Sequence, residues 1–516
     1  MLELDKILEK CGDYHRLQAI MLLLFCIINL LSALHYYSQT IISFVPKYWC
    51  IDGYTNPTDA YADASRQAGS SCLPQRFAAG IDDDAMTVEM NVSAANLANL
   101  SHTCQHFDYE LYMGYQSFTS ELNWICDRAW QVTLGQAMFF VGSVVGSLLF
   151  GFLADSLVME YLRPSLRTVG LSICIGFFYC LGSMAAPWIA VLLHTWRGFL
   201  LATSAPFAIV PLFYFIVPES VQWLISKQKY DKAVQCLMRV AKINGRTVDE
   251  SVYTEFIDEC KRSQLHTKSG PNLFGLFVTP RLRRNTLILF FKSMVITLCY
   301  DAVSRNVQGL GISPFVMFTL SATAILPACI LLIVLQDRIG RKAMASMSLL
   351  LSGVFISVTG AILFCTDRSG GEKDVLLVVV LSVIGRFGVT VAYNSGAQYA
   401  TELIPTCVRG QGVAVVHVMG YAFTFFSSYI LYTRSFFQPM PEIILGILSL
   451  LGAGLCLLLP ETLNRTLPTS LEDGENFGKN ERWYNFSFLE QRTQSVDVLA
   501  ANAGSQSIRD NGAAYF

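Results

Sequence analysis

Charge is scarce in this chain, and so are the patterns that would make it an enzyme. Only 15% of its 516 residues are charged while 53% are hydrophobic, a balance too apolar for an ordinary soluble domain. The formal net charge of -2 offers nothing to a nucleic acid. There is no Gly-x4-Gly-Lys loop to cradle phosphate, no clustered Cys/His spacing for a metal and no nucleophile motif. No catalytic residue, metal or cofactor is therefore expected. The strand alternation of an outer-membrane barrel is missing as well. Residues 1–16 lack a small-residue cleavage site, and the apolar run behind them is too long for a signal-peptide core. That run is expected to stay as an uncleaved anchor with the N-terminus in the cytoplasm.

What the chain does have is apolar runs, about 20 residues being enough to cross a bilayer. Ten are visible: 17–45, 132–153, 168–193, 196–217, 286–304, 314–335, 343–364, 375–392, 411–433 and 442–459. The expected fold class is all-α, a polytopic helical bundle in the membrane. Four spans fall in a first half, 17–217, and six in a second, 286–459.

Two long polar connections differ in charge. Residues 46–128 hold eleven acids and four bases, whereas 222–284 hold twelve bases and six acids. Positive-inside reasoning places the first outside and the second, within a linker over 218–285, in the cytoplasm. Cys50, Cys72, Cys104 and Cys126 all lie in the outer loop, suggesting two disulfides with three pairings open. Asn91-Val-Ser and Asn99-Leu-Ser add two glycosylation acceptors there. Residues 460–516 turn polar and read as a disordered cytoplasmic tail.

The two halves echo each other. Glu402 and Arg409 enclose six residues, as Glu160 and Arg167 do, and a glycine follows each arginine by three. Fifty-nine residues after each glutamate comes Pro-Glu-Ser/Thr, giving Glu219 and Glu461. The copies disagree once. Asp337 precedes Glu402 by 65 residues, but Asp155 precedes Glu160 by only 5, so the first repeat lacks sixty. Repeated acids and bases at helix ends suit a gate between two states of similar energy. Asp155, Glu160, Arg167, Glu219, Asp337, Arg338, Gly340, Arg341, Glu402, Arg409 and Glu461 are the gating candidates, with Gly340 allowing the tight turn of Asp337-Arg-Ile-Gly-Arg-Lys.

That turn resembles the loop of the major facilitator superfamily, whose twelve helices form two six-helix halves. Within it the chain resembles the organic cation, anion and zwitterion (carnitine-type) transporter family from about residue 5 to 462. The likeness rests on Pro46-Lys-Tyr-Trp-Cys50, Glu121-Leu-Asn-Trp-Ile-Cys-Asp-Arg-Ala-Trp130, Pro218-Glu-Ser-Val-Gln-Trp-Leu224 and Tyr399-Ala-Thr-Glu-Leu-Ile-Pro-Thr406. The large cysteine-bearing outer loop adds to it. The chain departs at Val221 and Gln222, where Pro-Arg is usual. By the same resemblance the absent segment holds the third span and most of the fourth.

Ionisable groups inside spans are functional candidates because lipid cannot solvate them. Asp301 and Arg305 sit one turn apart with the acid first, a favourable pair. Facing a cavity, Asp301 would hold an ammonium and Arg305 a carboxylate. Lys292 is expected to snorkel, and Arg386 to face the bundle. Tyr36, Tyr37, Tyr421 and Phe425 complete the binding candidates, as aromatic faces for an organic cation. Tyr421 stands where the family often carries a charge that separates cation from anion carriers, so substrate sign stays open. The expectation is a plasma-membrane carrier of small organic ions, cations or carnitine-like zwitterions ahead of anions, working by alternating access with both termini cytoplasmic. The alternative is a shortened, transport-incompetent product acting through retention or a full-length partner.

Overall fold

The computed structural model describes residues 2–12, 15–51, 72, 104, 106–160, 174–212, 221–226, 228–265, 273–310, 312–369, 374–463, 465, 467–468, 470–479 and 486. Its helices are α1 (Leu2–Cys11), α2 (Arg16–Ile42), α3 (Ala129–Glu160), α4 (Cys180–Leu193), α5 (Trp196–Ser204), α6 (Tyr230–Asn244), α7 (Glu250–Leu265) and α8 (Pro280–Arg305). The second half continues with α9 (Pro314–Thr323), α10 (Ile325–Ile339), α11 (Arg341–Ser369), α12 (Val375–Leu403), α13 (Arg409–Tyr432) and α14 (Met440–Leu457). Eight helical stretches among the described residues are long and apolar enough to cross a membrane. Each coincides with one of the ten expected runs. Of the other two runs, 132–153 lies within the 32-residue α3. The run 196–217 begins as α5 and tightens into a 3-10 stretch over Ala205–Leu212, where Pro206 and Pro211 have no N–H to give.

Some helices outlast their apolar runs. α12 continues to Leu403, past the expected end at residue 392, because its next polar side chains turn inward: Ser395 is buried. The interior is inverted relative to a soluble protein. Ile330, Val334, Leu376, Ile447 and Leu451 are exposed, whereas Lys292, Asp301, Arg305, Arg386 and Glu442 are buried. Such an exterior suits lipid, and backbone groups satisfied within helices suit it too.

Contacts divide the chain into two compact units. One comprises residues 1–34, 137–185 and 206–516, the other 35–136 and 186–205. In the first, α11 packs along α12 and α14, and α8 along α12, α13 and α14. Small residues bring these axes close. A methyl on Gly388 would meet the Ser348 carbonyl oxygen at 2.7 Å. Ile296, Tyr300, Leu349, Ile356, Val389 and Leu445 fill the shared core.

The same unit packs α1 against α6 and α7 through Ile7, Leu8, Leu237, Val240, Tyr253 and Phe256. Asn244 ties the junction, accepting from the Leu17 N–H at 3.0 Å and donating to the Gly12 carbonyl at 2.7 Å. The tail departs from the expected disorder over residues 470–479. A short helix, Leu471–Asn476, carries a Ser470/Asp473 capping box. Glu475 accepts from the N–H groups of Arg281 and Leu282 at 3.2 and 2.7 Å, so the tail caps the start of α8. Composition alone missed this because the ordering contact is nearly two hundred residues away in sequence.

The second unit holds a two-stranded antiparallel sheet, β1 (Lys47–Cys50) against β2 (Phe107–Glu110). Of the three pairings left open, the structure has Cys50–Cys104 and Cys72–Cys126. Each closes a 54-residue separation, which constrains the unfolded chain by about 4 kcal/mol. Replacing Cys50 and Cys104 by serine is expected to remove stabilisation of that order from the loop. Faster protease cleavage within 46–128 on intact cells would show it, and an unchanged cleavage rate would refute it.

Glu121 takes the Trp196 Nε1–H at 2.7 Å and the Arg197 Nη1 at 2.6 Å. Arg197 foremost, and then Trp196, holds its carboxyl below the usual 4.5. The depressed value means the clamp is complete above the usual carboxylate range and is lost as pH falls below it. Proteolysis of the 121–197 region should quicken below about pH 4.5 in the wild type but show no such step in Glu121→Gln.

Candidate functional site

A charge on a helix inside an apolar bundle must pair or be used. On α8 the i,i+4 spacing puts Asp301 and Arg305 on one face. Arg305 donates to Asp301 Oδ2 from Nε at 2.9 Å and from Nη2 at 2.6 Å. Both side chains are essentially removed from solvent. α13 adds Ser427, whose Oγ donates to the same carboxylate oxygen at 2.6 Å and accepts from Arg305 Nη2. The guanidinium also lies 5.0 Å from the Phe140 ring of α3.

Two further buried cations turn towards other partners in the bundle. Arg386 on α12 donates from Nη1 to the Tyr300 carbonyl at 2.9 Å and stacks 4.3 Å over that residue's ring. Tyr300 stacks in turn on Tyr393 at 4.4 Å. Lys292 does not snorkel. Its Nζ is fully buried, donates to the Gly396 carbonyl at 2.9 Å and lies 5.4 Å from the Tyr399 ring. A carbonyl and an aromatic face are closer than any helix end, so the side chain turns inward.

α13 divides its faces between two tasks. Thr424, Ser427 and Ser428 are buried, the two serines against the Asp301–Arg305 pair. Phe425 joins Phe426 and Tyr429 at 5.7 and 5.4 Å on the other side, and Phe426 and Tyr429 are exposed. Tyr421 is half-buried. Tyr36 and Tyr37 belong to the other unit, where their rings meet edge to face at 5.1 Å.

The motif residues of the second half converge at one end of the bundle. Gly340 takes φ 99° between α10 and α11, a conformation that favours glycine. The turn brings Arg341 back against Asp337 at 3.0 Å and against Glu402 at 3.0 Å. Glu402 also takes Gln398 Nε2 at 3.0 Å and Thr462 Oγ1 at 2.6 Å. Glu461 accepts from the N–H groups of Arg341 at 3.0 Å, Thr462 at 2.9 Å and Leu463 at 3.3 Å, and so caps α11. The glutamate and arginine of the Glu-x6-Arg motif are not hydrogen-bonded to each other. Pro405 breaks the chain between α12 and α13, and Arg409 Nε turns to the Ile404 carbonyl at 3.3 Å. Arg338 is exposed.

In the first half, Asp155 and Glu160 lie on the last turns of α3, and their side chains are outside the described residues. Arg167, Glu219, Asn91 and Asn99 are wholly outside them. Sequence reasoning missed Gln398, Thr462 and Ser427, whose types carry no signal away from a charged neighbour. It also missed Arg434 and Glu442, which bracket the last loop and pair at 2.5 Å. The signal was there: one base and one acid with seven residues between them, at the junction of two apolar runs.

The family described as sugar (and other) transporter matches residues 157–470. The organic cation transporter protein of Drosophila melanogaster is 26% identical over 530 positions, covering 92% of this chain and 95% of its own. Mouse (Mus musculus) solute carrier family 22 member 3 is 25% identical, covering 92% and 96%. A solved proton:xylose symporter of the major facilitator superfamily superposes with a TM-score of 0.48 at 16% identity, covering 89% and 99%. With a family match over more than half its length, the chain belongs to the sugar (and other) transporter family, and it is a multi-pass membrane transporter rather than an enzyme.

Proposed function

We propose that this chain carries small organic ions across the plasma membrane by alternating access, cations and carnitine-like zwitterions ahead of anions. The observation that carries the reading is the buried Asp301–Arg305 pair, desolvated at one site of an apolar bundle. Desolvating two opposite charges is expensive, and their attraction offsets it only in good geometry. A zwitterion can exchange for that pairing, its ammonium meeting Asp301 and its carboxylate meeting Arg305. A cation would take Asp301 with help from aromatic faces. The name of the Drosophila relative, an organic cation transporter protein, supports organic cations over sugars.

The Arg341–Glu402 contact, with Asp337 and Thr462 around it, supplies the gate: closed while paired, open once water solvates both ends. The basic linker supports a cytoplasmic placement for this end and for both termini. The packing of α1 on the linker helices α6 and α7 supports the same side for the N-terminus.

A second reading has its own observation. The Drosophila alignment runs over 530 positions while covering 92% of 516 residues, so several tens of positions face nothing in this chain. Together with the Asp155–Glu160 spacing, this supports a shortened product that is retained or acts through a full-length partner.

Uptake in cells displaying the chain separates the two. Tetraethylammonium, carnitine and p-aminohippurate serve as cation, zwitterion and anion probes, with surface biotinylation in parallel. Saturable uptake of one of the first two is expected. A surface-resident chain that takes up none would sink the carrier reading, and uptake of the carboxylate alone would overturn the charge class.

A further inference from the structure

Glu442 opens the last helix of the bundle, and only half of its carboxylate is used. Oε1 accepts from Arg434 Nη2 at 2.5 Å and from Asn306 Nδ2 at 3.1 Å. The triangle closes where Arg434 Nη2 donates to Asn306 Oδ1 at 2.6 Å. Oε2 is buried with no hydrogen-bond partner, in a residue only 1% exposed. A buried carboxylate oxygen left unmatched is costly.

A small pocket borders this residue. Asn306, Ser321, Thr359 and Ser382 supply its polar wall beside Glu442. The hydroxyl protons of two of them are already committed within their own helices. Thr359 donates to the Phe355 carbonyl at 2.9 Å and Ser382 to the Val378 carbonyl at 2.8 Å. Asn306 gives one Nδ2–H to Glu442 and takes the Arg434 N–H on Oδ1. What these groups leave for an occupant is mainly oxygen lone pairs, on Glu442 Oε2, Thr359 Oγ1 and Ser382 Oγ, with the Ser321 hydroxyl able to donate or accept.

We infer that this pocket binds a single dehydrated monovalent cation, with Na⁺ the best fit. A water would donate to two of these three acceptors and accept from Ser321, leaving the third acceptor unmet. A hard cation prefers oxygen ligands and uses all three. The cavity has room for about one water-sized occupant, which excludes an organic ammonium. One carboxylate already paired with an arginine is too little charge for a divalent ion. The site differs from the Asp301–Arg305 pair and does not depend on the substrate assigned there.

Thermal unfolding of the purified full chain in detergent tests it, with NaCl replaced by N-methyl-D-glucamine chloride at equal ionic strength. Na⁺ should raise Tm saturably by about 2–4 °C. Glu442→Gln should abolish the rise. Because that change also leaves Arg434 unpaired, Thr359→Val and Ser382→Ala provide variants that keep the ion pair. Each should shift the half-saturating Na⁺ concentration upward at least about tenfold, a lost ligand being worth ~1.4 kcal/mol or more. Equal Tm in the two salts, a Na⁺ response unchanged in both hydroxyl variants, or a response to pH alone would each overturn the proposal.

Discussion

Replacing Asp301 by alanine is expected to destabilise the folded chain by about 3–5 kcal/mol, because Arg305 would be left buried and charged without its carboxylate. Ser427 and Phe140 cannot compensate: one is a neutral hydroxyl and the other a ring 5.0 Å away. The double variant Asp301→Leu with Arg305→Met removes both charges and keeps the volume. It should recover most of the loss, since a well-packed apolar pair often replaces a buried ion pair at little cost. Unfolding of the purified variants decides the matter. A single variant as stable as wild type, or a double variant as unstable as the single, would show that the pair does not hold the site together. Asp301→Asn then isolates binding. If the carboxylate receives an ammonium, uptake of a cationic probe should fall at least about tenfold, a lost charge-assisted contact being worth ~1.5–3 kcal/mol. A purely structural role predicts the same loss for cationic and anionic probes alike.

Much of the bundle could be read from residue order because membrane helices announce themselves by length and apolarity. The runs at 314–335 and 343–364 return as α9–α10 and α11 within a few residues. The pairing of Asp301 with Arg305 was legible for a local reason, a spacing of four on one helix. Arg386 was legible only as a buried charge. Its partner, the Tyr300 carbonyl, is a backbone atom on another helix, which no side-chain pattern reveals. Lys292 misled for the same reason, its acceptor being the Gly396 carbonyl. The cysteines gave a count and a compartment, while the pairing depended on β1 meeting β2, a contact across some sixty residues of sequence. At the proposed gate, the repeated Glu-x6-Arg spacing singled out Glu402 but did not say which arginine reaches it. The arginine that reaches it comes from the Asp337 turn, sixty-one residues earlier in the chain.

Gly340→Ala should be the most damaging single change at that gate. The residue sits at φ 99° and ψ 159°, a region open to glycine and strained for any other side chain. A methyl there would also run into Glu461 Oε2 and lie 2.9 Å from its Cδ. The carboxylate that caps α11 would have to move, releasing the N–H groups of Arg341, Thr462 and Leu463 together. Strain and a lost cap together cost about 2–4 kcal/mol. The disturbance reaches function because Arg341 and Thr462 both bind Glu402. Labelling of Cys407, exposed beside Arg409, should therefore change in rate even where the variant still folds. Glu461→Ala removes the cap but also the clash, so the double variant should be less damaged than the sum of the two singles. Strict additivity, with an unchanged melting temperature for Gly340→Ala alone, would mean that glycine serves only to turn the chain and that the carboxylate above it is incidental.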